Sequence, residues 1–158
     1  MIKTQIISVG KIKEKATQEL ILEYQKRLSK YTDFESFLVK DLPLPENPSE
    51  KEIESVLKKE GENILKLLPK NLIKVAMVIN GKQHTSEEFS EFVEESKKNS
   101  GICFVIGSSH GLHESVIKAC DNGISLSKMT LPHNLARLIL TEQIYRGFKI
   151  LSNESYHK

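Results

Sequence analysis

The segment ISLSKMTLPHNLARLILTEQIYRGFKILSNESYHK (residues 124–158) carries the strongest structural pattern in the chain. It reads in turn as a short apolar strand, a loop rich in small hydroxyl residues, and an amphipathic helix. The pair Pro132-His133 opens the helix, Arg137 and Arg146 interrupt its apolar pattern, and a Tyr-His-Lys sequence ends the segment. A helix that serves only packing needs an apolar stripe and a solvated face. The additional polar residues therefore predict a functional site.

Helical spacing divides the charged residues of this helix into two pairs. His133 and Arg137 are four positions apart and share a face, as do Glu142 and Arg146. Arg137 and Arg146 are nine positions apart, so they point in opposite directions. Either one pair is only a surface salt bridge, or the helix lies in a dimer interface and serves two pockets.

Strand and helix patterns alternate along the whole chain without a break in composition. Strands are predicted at residues 3–9, 34–39, 73–79, 102–106 and 124–127, with a turn at 80–82. Helices are predicted at residues 14–30, 114–120 and 132–151, and after the capping-box pairs Ser49-Glu52 and Thr85-Glu88. This order predicts one α/β domain over residues 1–158, with a mostly parallel sheet flanked by helices. Ligands bind beyond the carboxyl ends of the strands in such sheets.

Composition favours a soluble globular protein. Hydrophobic residues make up 39% of the chain and charged residues 28%. No apolar run approaches the roughly 20 residues that cross a bilayer, and the first residues do not resemble a signal peptide. We therefore expect a cytoplasmic protein without a membrane partner. Cys103 and Cys120 are predicted to be reduced core thiols, and the His and carboxylate spacings offer no convincing metal-ligand set.

Charge is distributed unevenly although the net charge is only +2. Residues 1–30 contain seven Lys or Arg against three Glu, and residues 128–158 contain five against two. If both ends of the chain meet on one face, that face attracts phosphate groups. Solvated faces that happen to differ in charge explain the pattern equally well.

Two loops are candidate ligand sites. In FVIGSSHGL (residues 104–112), the glycines allow close backbone approach and expose amides to an anionic group such as a carboxylate, although an ordinary strand-to-helix turn is the alternative. In SLSKMTLPH (residues 125–133), Met129 and Leu131 suit the walls of a slot for an adenine ring. The alternative is that both are core residues and that Pro132 is a good first helical residue. The first strand is followed by GKIKEK and not by G-x-G-x-x-G, which argues against a standard NAD-binding domain.

Taken together, the motifs resemble the RlmH family almost end to end. The matching segments are VGKIKEK, EYQKRL, VINGKQHTSEEFS, FVIGSSHGL, LSKMTLPHNLARLILTEQIYRGFKI and the final SYHK. The resemblance implies a SPOUT-class methyltransferase that uses S-adenosylmethionine (SAM) to methylate N3 of a pseudouridine (position 1915) in 23S rRNA of the assembled ribosome. It also implies an α/β fold whose C-terminal part forms a trefoil knot, active as a homodimer and needing no metal.

The resemblance further implies which residues serve the reaction. SAM is expected to contact Met77, Gly107, Leu126, Ser127, Lys128, Met129, Thr130 and Leu131. The RNA-facing and catalytic region is expected to contain His133, Arg137, Glu142, Arg146, Tyr156 and His157. Four residues depart from the usual family pattern, namely Ser108 for Gly, Gly147 for Ala, Asn153 for Gly and Ser155 for Pro. None of these changes removes a donor or a charged group.

The expected chemistry requires removal of a proton from the imide nitrogen of the target base. His157, Tyr156 or a base-held water are the candidate proton acceptors, with His157 preferred, and Arg146 or Arg137 is expected to stabilise charge on the uracil carbonyls. Two other functions remain open at this point. One is a non-catalytic ribosome-binding assembly factor that retains the SAM-binding fold, and the other is a flavodoxin-like nucleotide-dependent enzyme.

Overall fold

The computed structural model describes all of residues 1–158 as five strands and five helices in alternation. The strands are β1 (Lys3–Val9), β2 (Asp33–Val39), β3 (Ile73–Gln83), β4 (Gly101–Ile106) and β5 (Asn122–Ser125). The helices are α1 (Lys15–Leu28), α2 (Glu50–Leu67), α3 (Ser86–Ser96), α4 (Glu114–Ala119) and α5 (His133–Leu151). None of the helices combines the length and the apolar character that crossing a membrane requires.

All five strands are parallel, in the order β2-β1-β4-β3-β5. Central strand β4 is buried along its whole length, and its alternate side chains pack into two separate cores. Phe104 faces the core beneath α3 and α5, which contribute Val93 and Ile144. Val105 faces the opposite core beneath α2 and α4, which contribute Ile64 and Val116. The predicted α/β sandwich is confirmed.

Both predicted capping boxes are confirmed. The Ser49 hydroxyl accepts from the Glu52 amide at 3.2 Å, and the Glu52 carboxylate accepts from the Ser49 amide at 3.1 Å. Thr85 and Glu88 make the same reciprocal pair at the start of α3. Each cap contributes about 1 kcal/mol to helix stability.

Strand β3 corrects the predicted turn at residues 80–82, because the strand runs on to Gln83. Met77 and Lys82 both pair with Ile124, so the residues between them leave the ladder as an irregularity. A Cβ on Gly81 would lie 2.8 Å from the carbonyl carbon of Ile124. The Asn-Gly pair therefore does not form a hairpin, which would reverse the chain. It allows a shift in strand register and a close contact between β3 and β5.

Two further boundaries differ from the sequence prediction. Strand β5 covers Asn122–Ser125 and ends two residues earlier than predicted, because a hydroxyl-stabilised turn begins there. The Ser125 hydroxyl donates to the Ser127 carbonyl oxygen at 3.0 Å, and the Ser127 hydroxyl accepts from the Met129 amide at 3.0 Å. Pro132 is the N-cap of α5 with an extended ψ of 143°, and His133 is the first helical residue.

The two cysteines are free thiols. Cys103 is fully buried, and burial raises the pKa of its thiol to about 12. Burial likewise raises the pKa of the half-buried Cys120 thiol to about 11. Both groups are therefore protonated at neutral pH, as expected for core thiols.

Candidate functional site

A cavity of about 370 Å³ lies at the carboxyl ends of the three neighbouring strands β4, β3 and β5. Its walls are residues 77–80, 106–112, 124–127 and 129–131, together with Ile117, His133 and Ala136. Its size falls in the range of small-molecule sites, which is roughly 300 to 1,000 Å³. The two loops predicted from the sequence therefore form one site at the edge of the sheet where ligands of α/β folds bind.

The glycine loop after β4 is folded tightly against itself. The Gly111 amide donates to the Ser108 carbonyl oxygen at 2.9 Å, and Gly111 has a positive φ of 87°. A Cβ on Gly107 would lie 2.3 Å from the Gly111 carbonyl oxygen, so only glycine fits there. Ser108 has no positive φ, which explains why a residue with a side chain is tolerated at this position.

Seven of the eight predicted cofactor-binding residues line this cavity. They are Met77, Gly107, Leu126, Ser127, Met129, Thr130 and Leu131. Lys128 does not line it, and its side chain is exposed. Met129 is 71% exposed, so the alternative interpretation of this residue as core is wrong.

A buried carboxylate, Glu60 on α2, lies beside the glycine loop. It was not predicted from the sequence. It is 2% exposed, its Oε2 accepts from the Leu42 amide at 3.0 Å, and its Oε1 has no hydrogen-bond partner. Burial, reinforced by Asp41, raises the pKa of the Glu60 carboxyl, while the Leu42 amide, Ser108 and His110 oppose the rise. Helical spacing could have predicted that Glu60 is buried, because it lies between Leu57 and Ile64 on the apolar stripe of α2.

Replacing Glu60 by Gln is expected to stabilise the protein at pH 7 to 8 by about 1 kcal/mol, because the buried negative charge is removed and an acceptor for Leu42 is kept. The pKa of Glu60 is higher in the folded protein than its ordinary value of 4.5. The stabilising contribution of this group is therefore fully present below pH 4.5 and is lost as pH rises. The advantage of the variant should therefore disappear below that pH. Urea unfolding across this pH range measures it, with exposed Glu62→Gln as control. A loss of stability in Glu60→Gln at pH 7 to 8 would contradict the expectation.

The charged pair predicted on the second half of α5 forms a part-buried ion pair. Arg146 donates from Nε and one terminal nitrogen to Glu142 Oε1, at 3.0 and 2.6 Å. The Tyr156 hydroxyl donates to the same oxygen at 3.1 Å, and the Arg146 guanidinium lies 4.7 Å from the centre of the Tyr156 ring. Burial, together with Tyr24 and Glu142, raises the pKa of the Tyr156 phenol. Tyr156 therefore stays protonated at neutral pH and is a poor proton acceptor.

The C-terminal tail, residues 152–158, folds back onto α3 and α5. His157 Nε2 lies 2.6 Å from Glu87 Oε1, and His157 Nδ1 lies 3.2 Å from an Arg146 terminal nitrogen. Asn153 has a positive φ of 52°, a conformation that Asn tolerates better than most residues. This explains how Asn substitutes for the usual Gly at the turn into the tail. We call Glu87, Glu142, Arg146, Tyr156 and His157 the tail cluster.

His133 and Arg137 lie outside the tail cluster, and although they are one helical turn apart they line different cavities. His133 lines the first cavity, whereas Arg137 lines a second cavity of about 400 Å³ between α1, β2 and α5. Arg137 donates to the Ser36 hydroxyl at 3.3 Å, and burial lowers the pKa of its guanidinium. Arg146 follows His133 by 13 residues, which is about 20 Å along the helix axis. One chain therefore does not bring the six predicted RNA-facing residues together.

Two surface features accompany these sites. Leu22, Leu38 and Leu135 are 61%, 51% and 43% exposed, and the first two line the second cavity. The basic ends of α1 and α5 also meet, because Arg27 and Lys149 both lie within 6 Å of the Tyr145 ring centre, at 5.8 and 5.6 Å. The basic last turns of α1 and α5 thus lie side by side.

Comparison with known proteins agrees with this architecture. Residues 2–157 match the family model described as predicted SPOUT methyltransferase. A crystal structure of a probable methyltransferase from Bordetella pertussis Tohama I superposes with a TM-score of 0.57, covering 92% of this chain and 93% of that chain. At 12% identity, that likeness shows the fold alone. Fold and site thus define a SPOUT methyltransferase.

Sequence relatives narrow the assignment. The chain is 47% identical to ribosomal RNA large subunit methyltransferase H of Clostridium perfringens strain 13, over 97% of this chain and 98% of that protein. It is 46% identical to the protein of the same name from Streptococcus uberis, over 99% of both. The chain belongs to the RlmH family of SPOUT methyltransferases. The resemblance drawn from the motifs is confirmed, and the flavodoxin-like alternative is wrong.

Proposed function

We propose that this chain transfers a methyl group from SAM to N3 of a pseudouridine in 23S rRNA of the assembled ribosome. The observation that carries the proposal is the cavity at the ends of β4, β3 and β5, in a chain nearly half identical to ribosomal RNA large subunit methyltransferases H. The small net charge favours recognition of an assembled ribosomal surface over naked RNA, because little binding energy can come from phosphate contacts alone.

The cavity suits SAM in size and chemistry. Met77, Leu126 and Leu131 offer apolar walls for the adenine ring, and the glycine loop offers backbone amides for the carboxylate of the methionine part. The backbone contact at Gly107 leaves no room for a side chain, as expected of a loop shaped around a ligand. SAM supplies a methyl group made electrophilic by its sulfonium. The protein has to orient the target nitrogen toward that methyl and exclude water.

The tail cluster is proposed to hold the target uracil. Arg146 carries a permanent positive charge, and its hydrogen bonds with Glu142 raise its pKa still further. A guanidinium in this state stabilises the negative charge that develops on the uracil carbonyls as the imide proton leaves.

We propose that two copies of the chain build each active site. The tail cluster lies about 20 Å along α5 from His133, too far to act on the cavity of its own chain. Exposed Leu135 and Ile139 lie on the same helical stripe as Glu142 and Arg146, which suits contact with a second copy. In this arrangement the cavity of one protomer receives the tail cluster of its partner, and Arg137 and Arg146 serve different pockets.

A complementation experiment tests the shared site. Arg146→Ala protomers and Gly107→Ala protomers are co-expressed with different tags, and the mixed dimers are isolated by both tags. In a shared site, one pocket of the mixed dimer has both parts intact, so it should retain about half of the wild-type activity. Assayed at a SAM concentration near the wild-type Kd, each variant alone should be nearly inactive. Inactivity of mixed dimers that are folded and bind SAM in one pocket would show that each site belongs to one protomer.

Binding and transfer measurements test the reaction itself. Calorimetry should detect one SAM per protomer, and tritiated methyl transfer should label ribosomes from cells that lack the gene. A short hairpin of the same rRNA segment should be labelled much more weakly. SAM binding without transfer to ribosomes would favour the non-catalytic assembly factor, and absence of binding at millimolar SAM would exclude the methyltransferase. Mass spectrometry of rRNA from the deletion cells identifies the modified base.

Three further expectations belong to this proposal. Residues 1–158 act as one domain, and the chain works in the cytoplasm, where ribosomes are assembled. The C-terminal part forms a trefoil knot, as in the SPOUT family to which the chain belongs.

A further inference from the structure

The His157 ring is held from both sides. Its Nε2 lies 2.6 Å from the Glu87 carboxylate, and its Nδ1 lies 3.2 Å from an Arg146 terminal nitrogen. The ring is largely buried, with 27% of the side chain exposed. Glu87 lies 70 residues away in sequence, in the first turn of α3.

The donors in this chain of contacts fix the tautomer of His157. Arginine can only donate, so Nδ1 must accept from Arg146 with its lone pair. The single hydrogen of the neutral ring is then on Nε2, which donates to Glu87. A proton acceptor needs a free lone pair, and the only lone pair on this ring is already directed at Arg146.

The same contacts immobilise the Arg146 guanidinium. Three of its five N–H groups are used, two by Glu142 and one by His157. Two N–H groups remain for a substrate. A guanidinium fixed from two sides loses little freedom when it binds a planar uracil, which is the condition for electrostatic preorganisation.

We propose that Glu87 and His157 are a positioning pair that orients Arg146, and that His157 is not the proton acceptor. This assignment rests on the proposed function, because it gives the pair a role in that methyl transfer. Glu87 is the first member of the chain Glu87-His157-Arg146-Glu142, and it selects the His157 tautomer that can accept from Arg146. The His157 bond lowers the pKa of Glu87, in agreement with a carboxylate that stays ionised in this contact.

Four variants separate positioning from proton transfer. Glu87→Ala and His157→Ala should lower kcat on ribosomes by about 10- to 100-fold, because a small displacement of a catalytic group is enough for such a loss. His157→Gln retains an amide that can accept from Arg146 and donate to Glu87 but cannot act as a base at neutral pH. It should therefore keep activity within about 10-fold of wild type. Glu91→Ala, an exposed position one turn further along α3, is the matched control.

Two outcomes would overturn the assignment. If His157→Gln is as inactive as His157→Ala while SAM affinity is unchanged, His157 is the proton acceptor. If Glu87→Ala behaves like Glu91→Ala in kcat, Glu87 has no positioning role. All variants should bind SAM as wild type does, since Glu87 and His157 do not line the SAM cavity.

Nitrogen NMR of the purified protein tests the geometry without any reaction. The ¹⁵N spectrum of His157 should show the neutral tautomer with hydrogen on Nε2, and Glu87→Ala should shift it toward the unrestrained mixture. Failure of the proposed function would appear as absence of methyl transfer in wild type. The NMR result decides the positioning pair even then, because the wrong tautomer or its insensitivity to Glu87→Ala would overturn the proposal.

Discussion

Arg146→Ala is expected to lower kcat for methyl transfer by about 10²- to 10³-fold, the loss typical of removing one group that stabilises developing negative charge. SAM affinity should remain within about threefold of wild type, because Arg146 is not among the residues that line the cavity. The variant also leaves Glu142 without its bidentate partner, so a small decrease in thermal stability should accompany it. Calorimetry with SAM and single-turnover transfer to ribosomes measure the two effects separately.

Arg146→Lys is the matched control for this prediction. Lysine keeps the positive charge but lacks the planar fork that contacts Glu142 through two nitrogens and His157 through a third. Its activity should fall between those of wild type and Arg146→Ala. Equal losses of SAM binding and of methyl transfer in Arg146→Ala would refute a role on the RNA side.

Much of this architecture was predictable because local signals and tertiary structure agree. The strand and helix patterns predicted the α/β fold, and capping-box spacing located the starts of α2 and α3. Helical periodicity also predicted that Arg137 and Arg146 face opposite ways, and the structure confirms it by separating the second cavity from the tail cluster. Periodicity succeeds here because α5 is regular over its 19 residues.

Contacts between distant parts of the chain were not predictable from local patterns. Glu87 meets His157 only because the tail turns back at Asn153 onto α3. The Asn-Gly pair at residues 80–81 normally signals a reversal, and only its contact with β5 converts it into a register shift. The position of Glu60 on the apolar stripe of α2 is visible in the sequence. The effect of burial on its carboxylate can be judged only when its neighbours in the fold are known.

Gly107→Ala is expected to weaken SAM binding by about 100-fold, the second large effect. The added methyl would lie 2.3 Å from the Gly111 carbonyl oxygen and 2.6 Å from its carbon, and these are backbone atoms that cannot rotate away. The loop has to open, at a cost of roughly 1 to 3 kcal/mol, and its amides lose their arrangement around the ligand. Calorimetric titration with SAM measures the loss, and far-UV circular dichroism verifies that the variant is folded.

Gly147→Ala provides the same chemical change at a position outside the cavity. There the added methyl would lie 3.0 Å from Val93 Cγ2 and 3.6 Å from the Ser90 Cα, so the buried Val93 side chain has to shift slightly. This crowding offsets the gain of about 1 kcal/mol in helix propensity that replacing Gly by Ala brings to α5. SAM affinity should therefore be unchanged and stability close to that of wild type. If Gly107→Ala binds SAM as well as Gly147→Ala does, the tight backbone contact in the glycine loop is not needed for the cofactor. The SAM site would then have to depend on the apolar walls formed by Met77, Leu126 and Leu131.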